Sequence, residues 1–396
     1  PSILILLHRN TKTISSEDLA KLDSFDSLNT TDPSTLTDEL VYGKDNGLGL
    51  IDMRGLDYND PKWNDLLDQL IPSDYQTLIT QSGYGTAAIK SVDKPAATDR
   101  DSATGLVNYG FDASGNFVFS RNIAHCGVIV LAQTYNDDLA THYGENIGDE
   151  SYYLDVDGWY APAVNMHRTA FSGRNSEYYS EDPFIGGHIA SLECEGVISR
   201  GMYVFVKHYA INDQEDHRGD REGQYSIATF LNEQAAREIY LKPFEMSVKD
   251  ADCHAVMSSF NYIGNRWAGG CSELLQNVLR GEWGFRGMVI TDGFHFTDYM
   301  DSDIAIRNGC DLMLKNYDVA TYHLTDTTSA TSVKAMRQAC KNIMYTVVNS
   351  RVYDPANTVS TPIWRTAMIV VNVLLAVLLV VLEVLTFKSY KKKKAQ

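Results

Sequence analysis

The chain has 396 residues, 44 % hydrophobic and 21 % charged, which excludes a wholly disordered protein and leaves room for one large α/β domain. A formal net charge of −17 argues against a nucleic-acid binder, because such binding replaces phosphate counterions with lysine and arginine. The six cysteines (Cys126, Cys194, Cys253, Cys271, Cys310, Cys340) form no CxxC pair, so neither a zinc nor a redox motif is indicated, and they read as buried, unpaired thiols. No metal or cofactor is expected.

In chain order, Ser2–Leu7 is apolar but too short for the core and basic leader of a signal peptide. The expectation is a chain that is the C-terminal part of something longer, with residues 1–45, rich in Ser, Thr and Asp, as a linker or remnant of an upstream domain. Asp60-Pro61 and Ser73 open two helices, the first with Leu66, Leu67 and Leu70 on its apolar face. From Lys94 to about Val352, short apolar runs alternate with amphipathic stretches. Strands are expected at Phe117–Phe119, Trp159–Pro162, Tyr203–Val206, Ala255–Met257, Met288–Ile290 and Asp311–Leu314. Helices are expected at Asn136–Ile147, Ile185–Ser199, Ser226–Val248 and Ser272–Gly281. This rhythm over roughly 250 residues predicts an α/β fold of the (β/α)8 TIM-barrel type, occupying 46–355. A doubly wound open sheet is the runner-up, though no GxGxxG follows an early strand.

After a Pro-containing spacer (356–364) comes an apolar run, Thr366–Phe387, with Trp364 at one edge and Lys388 and Lys391–Lys394 at the other. About 20 apolar residues span a bilayer as a helix. Residues 365–387 therefore read as a single transmembrane helix. The lysines of the tail, 388–396, then lie in the cytoplasm and everything before the helix lies outside the plasma membrane.

The chemistry-bearing stretch is Gly281–Gly293, GEWGFRGMVITDG: a Gly-punctuated turn, a buried-strand run, then Thr291-Asp292-Gly293. An acid at a strand's carboxyl end is where α/β barrels place catalytic groups. Asp292 could equally cap the next helix. Four further segments fall at or near predicted strand ends: DSATGL (Asp101–Leu106), NMHRTAFSGRNSEYYSEDP (Asn165–Pro183), VKHYAINDQE (Val206–Glu215) and VMSSFNYIG (Val256–Gly264).

Taken together, these five ordered segments resemble glycoside hydrolase family 3, of the β-glucosidase-like branch, over about Lys94 to Val352. The GRN-x-E-x-x-SEDP and KH-[FY]-x-x-N-x-x-E patterns are complete. The resemblance implies Asp292 as the nucleophile, with Asp101, Arg168, Arg174, Lys207 and His208 holding sugar hydroxyls and Met257 packing under the ring. It implies a terminal β-linked sugar on an oligosaccharide or glycoside as substrate, cut with retention, and Arg174, Lys207 and His208 keeping Asp292 ionised. Ser102-Ala103 stand where the family has Gly-Pro, and Phe260 where it has Tyr. Alternative readings are a turn aspartate for Asp101, structural ion pairs Arg168–Glu177 or Arg174–Glu181, and a core position for Met257. The sequence at KHYAINDQE lacks the His-containing loop of the peptidoglycan-trimming branch, so the resemblance implies an acid/base from a separate sandwich domain, expected upstream. A sugar-binding surface protein without catalysis, or β-xylosidase or α-arabinofuranosidase activity, remains the alternative.

Overall fold

The apolar runs read as strands lie side by side. The computed structural model describes residues 15–17, 20, 41–81, 83–107, 109–111, 117–119, 123–216, 218, 226–294, 299–315, 322–353 and 363–394. Most of the segment read as a linker (1–45) and nearly all of the spacer (356–364) lie outside these residues. Among the described residues the strands are, in chain order, β1 (Gly85–Thr86), β2 (Ala97–Asp101), β3 (Tyr109–Phe111), β4 (Phe117–Phe119), β5 (Gly158–Tyr160), β6 (Tyr203–Tyr209), β7 (Ala228–Thr229), β8 (Ala255–Ser258), β9 (Tyr262–Ile263), β10 (Arg266–Trp267) and β11 (Met288–Ile290).

One sheet runs in the order β1-β2-β5-β6-β8-β11. From β2 onward its neighbours are parallel. Every residue of β6, β8 and β11 is buried, as expected of parallel strands covered on both faces. Beyond β11, Leu312 bridges Ile290 and Lys315 bridges Phe294, both in parallel. The Met313 N–H then bonds the Ile79 carbonyl at 3.0 Å, returning the sheet toward the chain just ahead of β1. The fold is thus barrel-like α/β, as expected, but it is not an eightfold repeat among the described residues. β1 is antiparallel to β2. The segment between them holds only the 3-10 turn Lys90–Val92, and a parallel crossover needs a dozen or more residues.

Two further expectations are corrected. Phe117–Phe119 is a strand, but it pairs with β3 in a local antiparallel ladder outside the barrel sheet. Ser226–Val248 is not one helix. Ala228–Thr229 pairs with β9. Helix begins at Glu233, passes through a π-type turn closed by the Leu241 N–H on the Ala236 carbonyl, and restarts at Lys242–Asp250. Pro243 has no N–H to continue the ladder, which accounts for the restart.

At the head of β11, Gly287 has φ +152°, and a Cβ there would stand 2.0 Å from the His254 carbonyl oxygen. Only glycine lets this strand enter beside β8. Ahead of β5 and β6, Arg351 is almost fully buried. It donates to the Ser151 hydroxyl at 2.5 Å, the Ser151 carbonyl at 3.1 Å and the Val156 carbonyl. All six cysteines are free; five are buried, and Cys126, read as buried from its apolar neighbours, is exposed. Its position just before the helix Val128–Gln133 leaves it on the surface.

The chain divides into two compact units, 1–354 and 355–396. The second contains the helix Ile363–Lys394. Within it Met368–Lys391 is long and apolar enough to cross a membrane, with a mean hydropathy of 3.0.

Candidate active site

The carboxyl ends of β2, β6, β8 and β11 bring chemistry-bearing side chains together. Asp101 ends β2, Lys207 and His208 lie in the last turn of β6, Met257 sits near the end of β8, and Asp292 is two residues past β11. Arg174 comes from the loop after β5, just before the turn Asn175–Glu177.

Asp292 is 13 % exposed at the side chain. Its Oδ1 accepts the Gly293 N–H at 2.7 Å. Its Oδ2 is buried, lies 3.8 Å from His208 Nε2, and has no hydrogen-bond partner among the described residues. Burial pushes the carboxyl up to about 6, with Arg174, Arg218, the Gly293 N–H and Lys207 pulling it back down. Among the described residues the next helix, Ser302–Asn308, is capped by Asp301 and not by Asp292.

His208 differs from the expectation. Burial and the charges of Arg174, Lys207 and Arg218 hold its pKa well below the usual histidine value, so it is neutral and adds no positive charge beside Asp292. Arg174 Nη2 donates to its Nε2 at 2.9 Å. A guanidinium only donates, so the imidazole proton sits on Nδ1, which is buried without a partner among the described residues. The backbone around His208 is fixed by Asn165, whose Oδ1 accepts the His208 N–H at 2.7 Å and whose Nδ2 donates to the His208 carbonyl at 3.0 Å. The Lys207–His208 and Tyr209–Ala210 peptide bonds are cis.

The acids Asp101, Glu177 and Glu215 are each engaged by a cation. Lys207 Nζ donates to Asp101 Oδ1 at 2.7 Å and lies 4.0 Å from Glu177. Arg174 Nε bonds Glu177, and its Nη1 lies 3.4 Å from Glu215. Arg174 therefore pairs with Glu177 and Glu215, and not with Glu181. Asn212 Nδ2 donates to Glu215 at 2.7 Å, so these two residues hold the loop after β6 in shape. Asp182 caps the helix Pro183–Ser199 and is scaffold.

Arg168 is not brought into this cluster. It is exposed, and its guanidinium lies 5.5 Å from the centroid of the Tyr240 ring. Met257 is 3 % exposed and belongs to the hydrophobic core. The loop after Asp101 is ordered despite Ser102-Ala103: Trp159 Nε1 donates to the Ser102 and Gly105 carbonyls at 2.8 and 3.0 Å. Ser102 takes φ +147°, a region that favours the glycine it replaces.

One residue was not singled out from the sequence. Arg218 bonds Glu215, donates to Asn212 Oδ1 at 3.2 Å, and lies 4.5 Å from the centroid of the Phe260 ring. Its charge acts on both Asp292 and His208. The signal was Arg218 lying three residues after Glu215 in the VKHYAINDQE segment, a spacing that brings the two side chains together when the loop turns.

The family model described as glycosyl hydrolase family 3 N terminal domain matches residues 84–352. Beta-glucosidase B of Emericella nidulans is 40 % identical over 163 residues, 41 % of this chain and 19 % of that protein. A beta-glucosidase of Ruminococcus albus is 31 % identical over 269 residues, 64 % of this chain and 27 % of that protein. Among solved structures, beta-glucosidase 3B from Thermotoga neapolitana in complex with glucose superposes with a TM-score of 0.64 at 28 % identity, covering 76 % of this chain and 44 % of that one. The chain spans 27 % or less of the length of these two sequence relatives.

Proposed function

Because the chain belongs to glycosyl hydrolase family 3, we propose that it carries the nucleophile half of a retaining, exo-acting β-glycosidase of the β-glucosidase type. The observation that supports this is the buried, unpartnered Oδ2 of Asp292 at the carboxyl end of a parallel strand, ringed by Arg174, Lys207, His208 and Arg218. An orphaned buried carboxylate oxygen is costly in a finished interior, and a reacting carbon gives it a partner. Asp292 Oδ2 bonds the anomeric carbon as the glycosidic C–O bond breaks, and an acid gives its proton to the leaving oxygen. Water then attacks the same carbon, yields its proton to that acid's conjugate base, and frees Asp292. Asp101, Lys207, Arg174 and the His208 Nδ1–H bind ring hydroxyls, and Met257 backs the ring from the core. Arg168 shapes the loop against Tyr240.

The acid/base is proposed to come from a further domain. Retaining sites hold two carboxyls about 5–5.5 Å apart. Asp101, Glu177 and Glu215 are each already bonded to a cation, so none of the three stands free for that role. The same pairing supports the second reading, a sugar-binding protein without turnover. The helix within Ile363–Lys394 is proposed as a single-pass plasma-membrane anchor with the barrel outside. Carbonate extraction of membranes tests that, since an anchored chain stays in the pellet.

A 2-fluoro β-glucoside with a good leaving group separates the two main readings, because it needs little acid assistance. The expected result is a glycosyl adduct on the peptide containing Asp292, absent in Asp292→Asn. Glucose binding with no adduct would favour the sugar-binding reading.

A further inference from the structure

The run Met368–Thr386, inside the helix Ile363–Lys394, is Met, Ile, Val or Leu at every position except Asn372, Ala376, Glu383 and Thr386. An α-helix turns about 100° per residue, so these residues fall on one stripe about 80° wide. Their spacings are four, seven and three residues, and Leu379 divides the gap of seven into three and four. Ile369 and Tyr390 continue the stripe at its two ends, three residues before and four after. Alternating steps of three and four are the 3.5-residue repeat of a helix whose seam faces a neighbouring helix in a left-handed supercoil.

Polar groups in hydrocarbon must find partners within protein, because no water reaches them. Thr386 manages this alone: its hydroxyl donates to the Leu382 carbonyl at 2.8 Å. Asn372 and Glu383 make no such bond within the helix. Glu383 lies five residues before Lys388, near enough to that edge for a long side chain to reach the headgroups. Asn372 lies sixteen residues before Lys388, about 24 Å along the axis, and six past Thr366, about 9 Å. Its short side chain reaches neither edge.

An amide holds both a donor and an acceptor, so two copies of the same amide satisfy each other. Chains anchored in one orientation present their helices in parallel, and a two-fold axis sets each seam residue against its own copy. Ala376, one turn on, lets the two backbones approach closely. A purely aliphatic partner helix would leave the amide unpaired.

We propose that Asn372, Ala376, Leu379, Glu383 and Thr386 form a self-association seam, on which a second copy of this chain packs within the membrane. This rests on the membrane anchor proposed above.

The test uses the full chain in a Cys126→Ser background, reconstituted into phosphatidylcholine vesicles and oxidised with copper phenanthroline and oxygen. Ala376→Cys and Leu379→Cys should give disulfide-linked dimers. Leu374→Cys and Val381→Cys, on the far side of the helix, should not. Energy transfer between labelled copies should give a dissociation constant that Asn372→Leu raises about three- to tenfold and that Asn372→Gln, which keeps the amide, largely restores. Equal cross-linking at all four positions, or energy transfer unchanged by Asn372→Leu, overturns the proposal. In cell membranes, a cross-linked product of any mass other than twice the chain assigns the seam to a different partner and overturns it too. Carbonate extraction separates the two readings. A pelleted chain without dimers sinks the seam alone, and an extracted chain sinks the anchor with it.

Discussion

Asp292→Asn should make the protein more stable while removing the nucleophile proposed for it. Burial raises the Asp292 carboxyl from 3.8 to about 6. The folded state therefore holds the proton more tightly than the unfolded chain does. That preference favours folding fully below about pH 4 and is lost as the pH rises through about 6. Above that, the ionised side chain costs about 3 kcal/mol, from roughly two pH units at 1.36 kcal/mol each. Asparagine carries no such charge and nearly the same shape. The neighbouring cations keep partners without Asp292: Arg174 has Glu177, Lys207 has Asp101 and Arg218 has Glu215. Urea unfolding followed by tryptophan fluorescence should thus give a variant up to about 3 kcal/mol more stable near pH 7.5, a midpoint shift of about 1–2 M. The two proteins should converge near pH 4. A variant no more stable than the parent at neutral pH, or a gap that ignores pH, would refute the claim that Asp292 is held against its own solvation.

Arg174→Ala removes the largest influence lowering the Asp292 pKa, so the acid limb of the pH profile for fluoroglucoside labelling should move to higher pH. The labelling rate should fall by about 10²–10³, as when a preorganised donor is lost. Labelling with an unshifted limb would show that Arg174 acts on the sugar alone. Ser102→Gly relieves φ +147° and should raise the urea midpoint by the equivalent of about 1 kcal/mol, with labelling unchanged. A fall in stability would mean that the Ser102 hydroxyl, which accepts the Thr104 N–H at 3.2 Å, outweighs the strain.

Where local chemistry decides, the sequence was a sufficient guide. Met288–Ile290 is a strand with the expected bounds because three β-branched or apolar residues between Gly287 and Thr291-Asp292 have no competing pattern. The convergence of Asp101, Arg174, Lys207, His208 and Asp292 follows from their places at or after strand ends. Arg168 shares a motif with Arg174 yet stands over Tyr240, because a loop can send two arginines to different faces without changing its spacing. Ala228–Thr229 was hidden because its partner, Tyr262–Ile263, lies more than thirty residues away, and short strands with half-exposed residues have no period to read. The neutrality of His208 was also out of reach: besides the adjacent Lys207 it depends on burial and on Arg174 and Arg218, which other loops bring beside it.

Arg351 bears on a different kind of stress. It lies three residues before the limit of the first unit at Asp354. Its backbone N–H bonds the Gly201 carbonyl at 2.7 Å, while its side chain is stitched to Ser151 and Val156. A chain pulled from its downstream end carries load to its last well-fixed residue. Here that residue clasps the end of the helix Asp137–Leu154 and the turn ahead of β6. Several hydrogen bonds from one buried guanidinium share the force, and they must break together before tension reaches β11 and Asp292.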